Sequence, residues 1–360
     1  MVADPAQRAA IGPLALPAAG PAARRRAARG PGHADRPDRA DRANTRRLAR
    51  MVRLLPPSDL RQVAAGYRRS LRISPALERH LAGAVGELIA APGSLVRAQL
   101  AFGAGRALGL ETEAARGAAV AVEYLHTASL VFDDLPAMDD ARERRGRPCP
   151  HVLYGEGAAI LAGLGLVHRA HALVAAAAAG LATERERHAW RRLEECIGLG
   201  GILDGQARDL HFHPGGDPRQ VAAGKTTPLL RLALLLPAAL AGATPATEAA
   251  LDRLATAWGL AYQALDDFRD LLERAGEGGK TGARDRGLGR PNLVLAAGPE
   301  RALETLAEVL GSADAALDEL ASEGALAEPL ARFTRLLESE AARIAARVGV
   351  RVAGDLSAAG

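Results

Sequence analysis

From residue 59 to residue 348 the chain repeats one pattern: apolar side chains return every three or four residues, and no stretch alternates. A period near 3.6 marks a helix that buries one face, whereas a half-buried strand needs a period of two. The pattern runs through 59–90, 95–108, 112–134, 157–180, 185–209, 219–241, 247–274, 299–322 and 327–348. Helix-ending residues punctuate it at Pro92-Gly93, Gly146-Arg147-Pro148, Pro214-Gly215-Gly216 and from Gly276 to Gly289. Ala, Leu, Arg and Glu dominate, and aromatic residues make up 3% of the chain, so propensity favours helix as well. The predicted fold class is all-α, one domain over 51–360. Segment 157–180 is apolar nearly all round, which predicts a helix enclosed by others.

Charge is spread unevenly. Residues 1–50 carry eleven Arg, four Asp and no Glu, a net of +7; the whole chain is +4, which leaves −3 for residues 51–360. The basic character belongs to the tail, so a nucleic-acid-binding surface is excluded for the helical part. The tail is rich in Ala, Pro, Arg and Gly and has no period, which predicts disorder. It lacks the long apolar run of a signal peptide, and its four Asp argue against a transit peptide. Met51 reads as the natural start, with the first fifty residues an over-extended frame. No apolar run is expected to reach the length of a membrane span or to insert stably; Leu229–Ala243 comes closest and is interrupted by Pro237. Cys149 and Cys196 cannot build a disulfide framework and read as reduced thiols of a cytoplasmic protein.

Two acidic clusters carry the chemistry. Asp133-Asp134-Leu-Pro-Ala-Met-Asp139-Asp140 follows an apolar helical stretch that Pro136 must end or kink. Its carboxylates therefore gather at a helix C-terminus, where the dipole is already negative. They are tolerable there if divalent cations share the site. The second cluster is Gln263-Ala-Leu-Asp266-Asp267-Phe-Arg-Asp270, in which Gln263, Asp266 and Asp270 fall on one helical face. Two such clusters on otherwise apolar helices imply a multi-metal site holding a polyphosphate. An oxygen-only donor set fits Mg²⁺, which keeps water and phosphate in its shell.

Cations accompany the carboxylates. Arg144-Arg145-Gly-Arg147 follows the first cluster, and guanidinium forks suit diphosphate oxygens. Of 46 Lys and Arg residues two are lysines, Lys225 and Lys280. Lys225 opens a Lys-Thr226-Thr segment before an apolar helix, and Lys280 lies in the glycine-rich loop ten residues beyond Asp270. A chain that has turned nearly every cation into Arg keeps a compact ammonium at two positions near phosphate-like contexts. Gly224-Lys225-Thr226 lacks the upstream glycine and the strand of a P-loop.

These motifs, their separation and the stretch Glu123–Pro148 resemble the trans-prenyl diphosphate synthases, the farnesyl and geranylgeranyl diphosphate synthases, from about Val85 to Leu295. The resemblance implies an isoprenoid-synthase-type helical bundle around a central diphosphate and metal cavity, in a homodimer. It implies that Asp133, Asp134 and Asp139, with Asp266, Asp267 and Asp270 opposite, bind three Mg²⁺ ions. Arg144, Lys225, Thr226, Gln263 and Lys280 would hold an allylic diphosphate (dimethylallyl, geranyl or farnesyl), and Arg97, His126 and Arg145 isopentenyl diphosphate. His126 lies seven residues before Asp133, hence on the same helical face.

The chain departs from the family in places. Ser94 stands where the family has an isopentenyl-binding lysine, within Pro92-Gly93-Ser94-Leu95-Val96-Arg97-Ala98. Phe132 replaces a His, Leu164 an Asp, and Arg290-Pro291-Asn292 a Gly-Lys-x-Thr ending. A thinned isopentenyl half leaves two competing readings, a class I terpene cyclase or related lyase and a non-catalytic subunit of a heteromeric synthase. Cyclases typically carry an Asn/Ser/Glu triad as second motif, and such subunits tend to lose an aspartate motif; here both motifs are complete. The expected product is geranylgeranyl diphosphate. The fifteen-carbon bacterial synthases commonly have an aromatic residue five positions before the first Asp, where this chain has Ala128 beside Ser129, with Tyr124 one turn further as the next stop.

Overall fold

The computed structural model describes residues 52–71, 73–213, 216–276, 292–321 and 326–349. The tail 1–50, Lys280 and the pair Arg290-Pro291 lie outside the described residues. Helices α1 (Pro57–Ser70) and α2 (Arg79–Ala90) occupy the first periodic stretch. That stretch, expected as one run, breaks around Pro75, and α2 restarts where the Glu78 carboxylate accepts from the backbone N–H groups of His80 and Leu81. Next come α3 (Val96–Ala107), α4 (Thr112–Asp133), a hairpin of β1 (Glu143–Arg144) and β2 (Arg147–Pro148), α5 (Pro150–Tyr154) and α6 (Glu156–Ala178). Then follow α7 (Thr183–Ile197), α8 (Ile202–Leu210), α9 (Pro218–Lys225), α10 (Thr227–Ala241) and α11 (Pro245–Gly276). The chain continues through α12 (Leu293–Ala297), α13 (Pro299–Leu320) and α14 (Ala327–Val348). Gly198–Gly201 separates α7 from α8 inside the expected 185–209 run.

The bundle is built around α10, which packs against α3, α4, α7 and α11. Seven of its leucines, from Leu229 to Leu240, are almost free of solvent. At about 1.5–3 kcal/mol for each buried side chain, their gross burial is on the order of 10–20 kcal/mol. A proline inside a helix costs roughly 3 kcal/mol, so the helix runs straight through Pro237 rather than breaking there. The enclosed apolar helix is thus α10 and not 157–180. α6 buries the stripe Ala159, Ala162, Leu166, Ala170 and Val174, chiefly against α4, and leaves Ile160, Leu161 and Leu164 exposed. Contrary to the expectation that no apolar run reaches a membrane span's length, α6 is, among the described residues, a helix long and apolar enough to cross a membrane by length and composition. Its apolar stripe on α4 is that of a bundle helix.

Candidate active site

Pro136 ends α4 at Asp133 as expected, and the chain turns back at once: Asp139 N–H donates to the Asp133 carbonyl at 2.9 Å and Ala141 N–H to the Asp134 carbonyl at 3.1 Å. The turn delivers the hairpin. Arg145 (φ 56°) and Gly146 (φ 71°) take successive left-handed conformations between the paired residues Arg144 and Arg147, the backbone of a tight two-residue hairpin turn. Arg144 is thereby folded over the end of α4, where its Nε and Nη2 reach Asp134 Oδ1 at 2.8 and 2.7 Å. Asp134 is buried at 3% exposure, whereas Asp133 and Asp139 are half-buried. Burial pushes the Asp133 carboxyl up to about 6, against the pull of Lys225. A cation beside such a carboxylate favours its ionised form.

Glycines bring the other side of the site within reach. Gly205 on α8 and Gly224 on α9 touch backbone to backbone, so a Cβ on either would collide with the other helix. The contact sets Lys225 Nζ 2.7 Å from Asp209 Oδ2 and 3.8 Å from Asp133 Oδ2. Burial alone would lower the Lys225 pKa, yet Asp133 and Asp209 hold it above its ordinary value. Gly259 of α11 lies against Thr227 in the same manner. One turn on, Thr226 Oγ1 donates to Gln263 Oε1 at 2.7 Å, and Gln263 Nε2 to Asp267 Oδ1 at 2.8 Å. A polar path therefore joins the clusters: Asp133 to Lys225, its chain neighbour Thr226 to Gln263, and Gln263 to Asp267. Asp267 is buried and also accepts from Leu293 N–H at 2.6 Å, whereas Asp266 is exposed. Although its side chain is about half open to solvent, partial desolvation by the protein around it raises the Asp266 carboxyl, while Arg269 and Arg144 oppose the shift. The charge of Arg144 thus favours the ionised form of both Asp133 and Asp266.

Next to this path lies a second set of cations. Arg97 of α3 donates from Nη1 to His126 Nε2 at 3.1 Å. An arginine always donates, so Nε2 is the bare nitrogen and Nδ1 carries the proton. Burial, reinforced by Arg97, Arg145 and Arg144, keeps the imidazole neutral. Arg97 Nε is buried with no partner among the described residues. Glu123 is buried, accepts from Ala98 N–H at 3.0 Å and lies close to Arg97. The Arg145 guanidinium lies over Gly93, where any Cβ would displace it. A small pocket of about 100 Å³ opens among Pro92, Glu123, His126, Arg144 and Arg145.

The polyprenyl synthetase profile matches residues 78–323. A geranylgeranyl diphosphate synthase of Pantoea ananas is 34% identical over 256 residues, 69% of this chain and 82% of that protein. The chloroplastic geranylgeranyl pyrophosphate synthase of Capsicum annuum is 35% identical over 224 residues, 61% of each chain. The chain belongs to the polyprenyl synthetase family. It spans about three fifths of the length of the chloroplastic relatives it matches. Among solved structures, the Helicobacter pylori geranyltransferase complexed with magnesium and isoprenyl diphosphate superposes with a TM-score of 0.68 at 25% identity, over 78% of this chain and 96% of that one.

Further back along α4, Ala128 lies five residues before Asp133 and Tyr124 one turn beyond it, and both are buried. Ser129 is half-buried and turns its hydroxyl back onto the His126 carbonyl at 2.8 Å. Tyr124 does not stand alone: Tyr67 of α1 packs edge-on against it with ring centroids 4.9 Å apart, and the Tyr124 hydroxyl donates to the Tyr67 carbonyl. Neither Tyr67 nor Asp209 was singled out in the sequence, where each is a lone polar residue in a helical run with no spacing to mark it. Among the departures from the family, Phe132 packs against Gly163 of α6, where a Cβ would come within 2.7 Å of its ring. Leu164 is exposed on that helix.

Proposed function

We propose that the chain is a Mg²⁺-dependent trans-prenyltransferase that condenses isopentenyl diphosphate with an allylic diphosphate and ends at geranylgeranyl diphosphate. The observation that carries this reading is the polar path from Asp133 through Lys225, Thr226 and Gln263 to Asp267, with Arg144 held on Asp134 beside Asp133. Among the described residues no three Asp, Glu, His or Cys side chains converge closely enough to hold an ion by themselves. Two facing, oxygen-only half-sites suit Mg²⁺, whose shell is completed by substrate phosphate and water. Asp133 and Asp139 would hold ions on one side, Asp266 and Asp270 on the other, three in all. The ions would supply positive charge for the departing diphosphate.

The chain's own residues do the rest. Lys225, Thr226, Gln263 and Arg144 bind the allylic diphosphate and take up charge as its carbon–oxygen bond breaks. Arg97 and Arg145, with the Nδ1–H of neutral His126, hold isopentenyl diphosphate so that its double bond faces the allylic cation. The new carbon–carbon bond forms there, and the released diphosphate takes the proton lost from the product. The relatives named geranylgeranyl diphosphate synthases and the magnesium complex of the Helicobacter pylori enzyme support this reading. The same reading includes a homodimer paired through the exposed apolar side of α5 and α6. The test is incubation of the purified chain with isopentenyl diphosphate and dimethylallyl, geranyl or farnesyl diphosphate, followed by product analysis. Twenty-carbon product that appears with Mg²⁺ and vanishes with chelator is expected. Diphosphate release that needs no isopentenyl diphosphate would replace the proposal with a lyase.

A further inference from the structure

A cavity of about 1250 Å³, open to solvent on one side, lies at the far end of α4 from the aspartates, lined by α1, the start of α4, the end of α6 and the start of α7. Gly117 lines it, sixteen residues before Asp133, which at 1.5 Å per residue is about 24 Å along the helix. The Tyr67–Tyr124 pair, both wholly buried, stands between the two ends. Four arginines converge on the cavity from four helices: Arg69, Arg116, Arg169 and Arg185. Two of them are pinned by one edge. Arg169 Nε donates to the Ser70 carbonyl at 2.6 Å and Arg185 Nη2 to the Leu240 carbonyl at 2.9 Å. Arg185 Nε is buried and has no partner among the described residues. Glu111 and Glu113 are the acidic side chains of the lining, which leaves it net +2, and Arg116 pairs with Glu113. The remaining wall is largely alanine and leucine, including Leu173 and Leu240.

We propose that this cavity binds a single-chain amphiphile with a phosphate head, the arginines taking the head and the alanine–leucine wall the chain. Cavities of roughly 300–1,000 Å³ commonly enclose ligands of this size, and guanidinium forks match phosphate oxygens. Charge argues against the chain's own first fifty residues as occupant, because a segment of net +7 is repelled by a cationic lining. The site is separate from the acidic clusters and does not depend on the prenyltransferase reading.

The test is calorimetric titration of the full chain, without divalent metal, with dodecyl phosphate, with inorganic phosphate and with dodecanol. Binding of dodecyl phosphate at least tenfold tighter than either fragment is expected. The double variant Arg116→Gln, Arg185→Gln should weaken it at least tenfold. Gly117→Leu should do the same by filling: Gly117 lines the cavity, and a Cβ there meets only ordinary contacts, Leu173 O at 3.5 Å and Ala177 Cβ at 3.7 Å. Should the arginine variant not fold, Gly117→Leu decides alone. Arg144→Gln, in the diphosphate site, should leave the affinity unchanged. No binding to the wild-type chain, equal binding of inorganic phosphate, or loss of binding in Arg144→Gln alone would overturn the proposal.

Discussion

Asp133 and Asp134 look alike in the sequence, as do Asp266 and Asp267, and all four read as metal ligands there. A helix rotates by about 100° per residue, and at this scale the rotation decides each role. Asp134 and Asp267 turn inward and hold parts of the site: Asp134 grips Arg144, and Asp267 grips Gln263 and the Leu293 N–H. Their neighbours Asp133 and Asp266 remain on the cleft side. Residue types and spacing located the clusters, but they could not say which carboxylate of each pair faces outward. Asp133→Asn and Asp266→Ala should therefore cost at least ~10²-fold in turnover, about 3 kcal/mol of transition-state stabilisation, with a raised Mg²⁺ requirement. Asp134→Asn should instead raise the KM for the allylic substrate as Arg144 is released, with the Mg²⁺ dependence unchanged. Steady-state kinetics across a Mg²⁺ titration separates the two, and equal Mg²⁺ shifts would return Asp134 to the ligand set. At position 94, Ser94→Lys should restore a charge-assisted contact worth roughly 1.5–3 kcal/mol. It is expected to lower the KM for isopentenyl diphosphate about tenfold or more and to leave that for the allylic substrate unmoved.

Helices join where side chains are absent, and this is the part of the site that periodicity conceals. The Gly205–Gly224 contact brings α8 and α9 together and presents Asp209 to Lys225, yet in the sequence both glycines sit inside runs that read as uninterrupted helix. The positions of α4 and α11 were legible because their apolar stripes are long. The breaks at Pro75, Gly198–Gly201 and Thr226 were not, because the apolar period resumes in phase on either side. The wall proposed ahead of the growing chain is likewise shared between elements, Tyr124 from α4 and Tyr67 from α1, whose rings pack edge-on. Ala128→Tyr places a ring one turn nearer Asp133 and should shift product from twenty carbons towards fifteen. Tyr124→Ala removes half of the wall and should lengthen the product, less than the double variant with Tyr67→Ala does. Chromatography of the dephosphorylated products gives the answer. An unchanged distribution in Ala128→Tyr would place the wall on other helices.

For the molecule as a whole, composition identified an all-α bundle but assigned the enclosed position to the wrong helix. Both 157–180 and 229–243 are apolar, and what separates them is the neighbours each acquires. α10 is covered on every side, whereas α6 keeps Ile160, Leu161 and Leu164 in solvent, with Val152 and Leu153 of α5 just before them. Burying one such side chain yields about 1.5–3 kcal/mol, while association costs an estimated 4–15 kcal/mol in lost freedom. Covering one or two of these residues would not suffice; a partner must cover most of the five together. A second copy related by a two-fold axis offers the same five residues in return, which doubles the area buried for a single association cost. Leu161→Asp with Leu164→Asp leaves the buried stripe of Leu166 and Val174 intact, so the bundle should fold and melt near the wild-type temperature. Sedimentation equilibrium at micromolar concentration is expected to find a dimer for the wild-type chain and a monomer for the double variant. A dimer that survives both charges would place the interface elsewhere, and a wild-type monomer would leave this apolar face without its second copy.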